Sequence, residues 1–189
     1  MSVILKKLTP ALCEDFLRYF ETDAFSDHEE WAYCYCLECH LDRETDEMTK
    51  DPAKRREIAK ELIEKGVMQG YLAYDGDRVV GWCSCDDKTR YKKLRENREF
   101  MTDDADKGKI KAIYCYDIAP SRRGEGIAHQ MLERICVDAK NEGFSFVEGY
   151  PFSETGYAYP YHGTAAMYER FGFSVFERRK WITIVRKTL

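Results

Sequence analysis

A chain of 189 residues, 44% of them apolar, can bury one core of ordinary domain size, which argues against a disordered segment and makes a single domain over residues 1–189 the expectation. A net charge of −4 leaves no basic surplus for nucleic acid or an anionic membrane, so neither is an expected partner. The opening MSVILKKL is too short in apolar residues for a signal-peptide core, no stretch approaches the roughly 20 apolar residues of a membrane span, and the expected location is cytoplasmic.

In chain order, Val3 to Leu8 reads as a strand, and Thr9-Pro10 supplies an N-cap and first-turn proline for a helix to about Tyr19, with Leu12, Phe16 and Tyr19 on one face. Thr22 to Met48 is aromatic and acidic with weak periodicity, a loop plus a helix of undefined bounds. Asp51-Pro52 opens a clearer helix with Ile58, Leu62 and Ile63 on one side and Gly66 at its end. Gly70 to Tyr74 and Arg78 to Cys85 are strand-like and joined by Asp75-Gly76-Asp77, a hairpin signal. The charged stretch 86–109 reads as a solvated insertion, with a lid over a substrate as the alternative.

Ile110 to Ile118 is an apolar strand that leads through Ala119-Pro120 into Ser121-Arg122-Arg123-Gly124-Glu125-Gly126-Ile127-Ala128. Ala128, Met131, Leu132, Ile135, Cys136 and Ala139 then recur at helical spacing up to Gly143, and Phe144 to Gly149 is another apolar run. Strand, helix and strand in this order form a βαβ unit, so the two strands are expected to be parallel neighbours. Gly163 to Phe171 reads as a short helix. Ser174 to Glu177 and Trp181 to Arg186 read as two strands turned by Glu177 to Lys180, and no repeat or linker marks a second domain.

Eight cysteines are too sparse for a disulfide scaffold, so free thiols are expected. Zinc could in principle use Cys34 and Cys36 of the CYCLECH stretch with Cys83 and Cys85. The C-x-C spacing is not that of a zinc knuckle, and Cys83 and Cys85 alternate within a strand, so no metal is expected and buried thiols are the reading.

A glycine loop at a helix N-terminus binds anions because several N–H groups there lack partners and the helix dipole is positive. The loop lacks the lysine of a nucleotide-triphosphate loop, and His129 stands at the last position of a dinucleotide fingerprint. What it does match is Q/R-x-x-G-x-G/A, from Arg123 to Ala128, five residues after Ile118. Tyr168-Glu169-Arg170-Phe171-Gly172-Phe173 is similar to a Y-E-K-x-G-F pattern farther along. With these two motifs in this order the sequence resembles the GCN5-related N-acetyltransferase (GNAT) family over about residues 70 to 189.

The resemblance implies an α/β domain with a mixed, twisted sheet flanked by helices and splayed where acetyl-CoA enters. It implies transfer of the acetyl group of acetyl-CoA, as cosubstrate, to a primary amine of a small molecule or protein, by a monomer or homodimer. In the family, backbone near Ile118 pairs with the pantetheine arm, the amides of Arg123, Gly124, Glu125, Gly126, Ile127 and Ala128 bind the pyrophosphate, and Tyr168 protonates the leaving sulfur. Tyr161 stands where many relatives carry asparagine. A base must take the proton of the amine. Glu148 is the leading candidate, because it lies in an apolar run near the carboxyl end of its strand, where a charge is costly unless paired or used. Asp117, His162 and water are the alternatives. No residue names the acceptor, although Trp31 to His40 and the insertion 86–109 are expected to shape its pocket. Their acids suit a cationic small molecule, or are solvated surface. The rival readings are a CoA-binding regulatory module without transfer activity and a zinc-dependent binding protein built on CYCLECH.

Overall fold

The computed structural model describes residues 3–103, 107–154 and 159–189. The chain opens with β1 (Ile4–Lys7), a 3-10 turn over Pro10–Leu12 and helix α1 (Cys13–Thr22). Thr9 sits at the N-cap, but its side chain makes no capping hydrogen bond, so the proline torsion sets the start. The acidic, aromatic stretch that follows contains a 3-10 turn, Glu29–Trp31, and helix α2 (Arg43–Met48), capped by Asp42 accepting from the Thr45 N–H at 2.7 Å. Helix α3 (Pro52–Glu64) begins at the expected Asp51 cap, which accepts from the Ala53 N–H at 3.0 Å.

β2 (Gly70–Asp75) and β3 (Arg78–Asp87) form the expected hairpin, with Gly76 at φ 58° in its turn. Helix α4 (Lys92–Glu96) precedes β4 (Ile110–Ile118), and α5 (Ile127–Asn141) carries the chain to β5 (Phe146–Gly149). Helix α6 (Ala165–Arg170) and the hairpin of β6 (Ser174–Arg178) and β7 (Thr183–Thr188) complete it.

The seven strands form one mixed sheet in the order β1-β2-β3-β4-β5-β7-β6. All neighbours are antiparallel except β4 and β5, the parallel pair joined by the α5 crossover. Alternation along the strands divides the core in two. Trp82 faces α1, α3 and the 23–41 segment, where Phe16, Phe20, Leu37 and Ile63 are buried. Cys83 and Cys85 face α5 and α6, with Met131, Leu132, Ile135 and Tyr168.

One expectation changes here. The 86–109 stretch is not simply solvated, because Tyr91, Leu94 and Phe100 are buried in the first core layer. The charges around them mask these side chains in the sequence, and the Tyr91 hydroxyl meets the Ser84 hydroxyl at 2.8 Å. Cys34 and Cys36 lie against one face of the sheet and Cys83 and Cys85 against the other, so these four cannot share an ion. All eight cysteines are free thiols, and among the described residues no cluster of three or more His, Cys, Asp or Glu side chains is arranged to hold a metal. No described helix is long and apolar enough to cross a membrane.

β4 and β5 pair only from Ile110–Phe146 to Ile113–Gly149, whereas β4 runs on to Ile118. Beyond that point the two strands part. The Tyr116 N–H donates instead to the Tyr161 carbonyl, at 2.6 Å.

Candidate active site

After β4, a 3-10 turn over Pro120–Arg122 leads to Gly124 at φ 82° and Gly126 at φ 78°, left-handed torsions that glycine takes without steric cost. Gly126 is the N-cap of α5 and no side chain caps this end. The first helical bond runs from the Gln130 N–H to the Gly126 carbonyl at 3.1 Å, so the N–H groups of Ile127, Ala128 and His129 have no acceptor within the helix. A Cβ at Gly124 or Gly126 would meet no heavy atom within 4 Å, so this donor surface is open. It suits an anion by both hydrogen bonding and dipole.

A cleft of about 490 Å³ lies in front of it, walled by Tyr116 and Ile118 of β4, by Arg123, Gly124 and Ala128, and by Gly163 and Thr164 ahead of α6. Of the predicted loop set, Ile118, Arg123, Gly124 and Ala128 line the cleft. The Ile127 side chain is buried in the core and Glu125 turns to Arg122 at 3.0 Å, so these two can offer the cleft only backbone. The Arg123 side chain also turns away. Its Nε donates to the Ile118 carbonyl at 3.1 Å, and its guanidinium pairs with Asp27 and stacks 4.7 Å from the Tyr159 ring centre.

Tyr168 is fully buried and its hydroxyl donates to the His162 carbonyl at 3.1 Å. A Cβ on Gly149 would lie 2.5 Å from that hydroxyl, so glycine is needed there and the phenol sits where the β4–β5 pairing ends. Burial pushes this phenol well above its usual pKa. Tyr168 does not itself line the cleft, while its neighbours Met167 and Thr164 do.

Glu148 is fully buried in an ionic cluster rather than aimed at a cavity. One carboxylate oxygen accepts from Lys88 Nζ at 2.5 Å and from the Tyr150 hydroxyl at 2.8 Å. The other accepts from Arg186 Nε at 2.9 Å and pairs with its Nη2. Arg186 is the residue opposite Glu148 on β7, so strand register builds the pair, and pairing offsets the desolvation that made this carboxylate look functional. His162, another candidate, donates from Nδ1 to the Tyr114 carbonyl, and burial holds its pKa down to about 4, so the ring is neutral at pH 7.

Across β4 lies a second cavity of about 650 Å³. Phe25, Trp31 and Tyr159 form an aromatic cluster in its wall, with centroid separations of 6.0 Å for Phe25–Trp31, 5.5 Å for Trp31–Tyr159 and 6.0 Å for Phe25–Tyr159. Trp31, Tyr33, Cys34, Cys36 and Glu38 come from the stretch expected to shape an acceptor pocket, but no described residue of 86–109 lines it. Arg55, an ordinary surface charge by sequence, organises this wall. It donates to the Tyr33 and Cys34 carbonyls at 2.7 and 3.1 Å, to the Thr49 carbonyl at 3.1 Å, and to Asp46 at 2.8 Å.

Asp117, the third candidate, lines this cavity while only 2% exposed. Its carboxylate accepts from the Tyr159 hydroxyl at 2.9 Å, and desolvation pushes its pKa up to about 8. Tyr159 and Tyr161 line the cleft and the cavity alike, so these two residues stand between the two spaces, an arrangement no local sequence pattern encodes.

Residues 66–175, more than half of the chain, match the family described as acetyltransferase (GNAT) domain. A comparison with curated protein sequences finds no match. Similar solved structures include PaiA N-acetyltransferase from Thermoplasma acidophilum in complex with coenzyme A, at 12% identity over 100% of both chains with a TM-score of 0.58. An acetyltransferase from Thermus thermophilus is 15% identical over 100% of this chain and 98% of that one, with a TM-score of 0.58. A polyamine N-acetyltransferase from Drosophila melanogaster, which catalyses formation of N-acetylagmatine, is 11% identical over 100% of this chain and 99% of that one, also at 0.58. At these identities the structures share the fold, and the family match covers the glycine loop, α5 and α6. The chain belongs to the GNAT family of acetyltransferases.

Proposed function

We propose that the protein transfers the acetyl group of acetyl-CoA to the primary amine of an acceptor. The observation that carries this reading is the pair of spaces that share Tyr159 and Tyr161 as a common wall, one beside an uncapped helix N-terminus and the other lined by a buried carboxylate. The cleft suits acetyl-CoA, because the amides from Gly124 to Ala128 offer donors to a pyrophosphate, while that of Arg123 already donates to the Pro120 carbonyl, and the β4 backbone near Ile118 runs beside it.

Asp117 is the base in this proposal. Ionised, it takes a proton from the acceptor ammonium, and the neutral nitrogen then forms the C–N bond as the C–S bond breaks. Tyr168, at the point where β4 and β5 part, donates a proton to the departing sulfur; the acylated nitrogen then sheds its second proton, which restores the phenol, and Asp117 gives its own proton up to solvent. Glu148 holds Lys88 and Arg186 and so fixes β5 against β7, and neutral His162 braces Tyr114.

The test is thiol release from acetyl-CoA by the purified protein with a panel of amines, alongside the melting temperature with acetyl-CoA. Thermal stabilisation with amine-dependent thiol release supports the reading. Stabilisation without release under any amine makes the chain a binding module instead.

A further inference from the structure

The charges around the 650 Å³ cavity narrow the acceptor. Four carboxylates line it, and two are already held by cations. Asp46 is held by Arg55 at 2.8 Å, Glu38 pairs with Lys93, and Glu30, with its side chain 63% exposed, meets His28 Nδ1 at 3.2 Å. The fourth, Asp117, lies deep beside Tyr159. The cavity wall also carries two cations, Lys50 and Arg55, and no carboxylate among the described residues lies within ion-pair reach of Lys50. The space thus offers one inner place for an ammonium, beside Asp117, and outside it only the solvent-exposed carboxylate of Glu30.

The remaining wall is aromatic and apolar. Phe20, Phe25, Trp31, Tyr114 and Tyr159 line the same space as Asp117. Ring faces attract an ammonium that passes over them and bury an apolar body that follows it. A chain bearing several ammonium groups would gain little from those walls and would bring positive charge toward Lys50.

We propose that the acceptor is a primary monoamine carried on an apolar, ring-sized body, with its nitrogen at Asp117 and its body among Phe25, Trp31 and Tyr159, and that the pocket disfavours polycations. This rests on the acyl-transfer reading above.

The test compares acetyl transfer to 2-phenylethylamine, tryptamine and hexylamine with transfer to spermidine, agmatine and a lysine peptide, read as thiol release and product mass. The aryl monoamines are expected to exceed spermidine and agmatine by at least about tenfold in kcat/KM. Trp31→Ala is expected to raise KM for 2-phenylethylamine by about tenfold with little change in kcat, the mark of lost binding alone. Lys50→Glu is expected to narrow the ratio of 2-phenylethylamine to spermidine by about tenfold, because it replaces a repulsion with an attraction. Spermidine, agmatine or the peptide reacting as well as the aryl monoamines, or a Trp31→Ala enzyme with unchanged KM, overturns the acceptor class and leaves acyl transfer standing. Absence of transfer to every amine, with acetyl-CoA still raising the melting temperature, overturns both.

Discussion

Asp117 and Glu148 are both carboxylates in apolar strands, and from sequence each looks like a charge that must be used or paired. Their neighbours separate them. Glu148 faces Arg186 across a strand pair and Lys88 from the 86–109 stretch, whereas Asp117 faces a cavity and a phenol. With Asp117 as base and its pKa near 8, kcat/KM should climb with pH and bend toward a plateau above about 8. Asp117→Asn should remove that bend and lower turnover by roughly 10²–10⁴. A bend that persists in the Asn variant assigns the titration to another group. Tyr168→Phe should leave acetyl-CoA binding intact and lower turnover by roughly the same factor, and a value within about threefold of the parent, with chemistry rate-limiting, rejects the proton-donor role. Glu148→Gln should act on stability instead, costing about 3–5 kcal/mol in denaturant unfolding, because it removes the buried negative charge that Lys88 and Arg186 share.

At the scale of elements, the parts legible in the sequence were those with local chemistry. The hairpin at Gly76, the Asp51 cap, the parallel β4–β5 unit and the loop into α5 each follow from a turn residue or a period. Gly126→Asp places a side chain and a negative charge at the open donor surface, so it should abolish the rise in melting temperature caused by acetyl-CoA. A variant stabilised like the parent removes the loop from the cofactor site. The illegible parts were those made by contacts distant in sequence. β7 enters the sheet between β5 and β6, Tyr91, Leu94 and Phe100 drop into the core from a run of charges, and the aromatic cavity gathers α1, the 23–41 segment, β4 and Tyr159. None of these has a periodic signal.

For the whole molecule, two buried groups bend the pH dependence of stability in opposite directions. Asp117 has a folded pKa of about 8 against an ordinary 3.8, so its contribution is complete below 3.8 and is lost as pH rises to about 8. His162 is held at about 4 against 6.5, so its contribution is complete above 6.5 and is lost as pH falls to about 4. Between pH 6.5 and 8 the His162 contribution is complete and the Asp117 slope continues. Unfolding free energy should decline there, and Asp117→Asn should flatten the decline; an unchanged slope would place the proton elsewhere. The parting of β4 and β5 has a different consequence. A sheet that opens in its interior creates two raw edges, and a raw edge invites pairing with another chain. The Tyr161 carbonyl, by taking the Tyr116 amide, covers one of them before any ligand arrives. β4 can therefore part from β5 with less of its edge offered as a template for self-association. Hydrogen exchange should record this as a slow Tyr116 amide in the free protein, beside fast amides at Ile127 to His129 that slow only when acetyl-CoA is added.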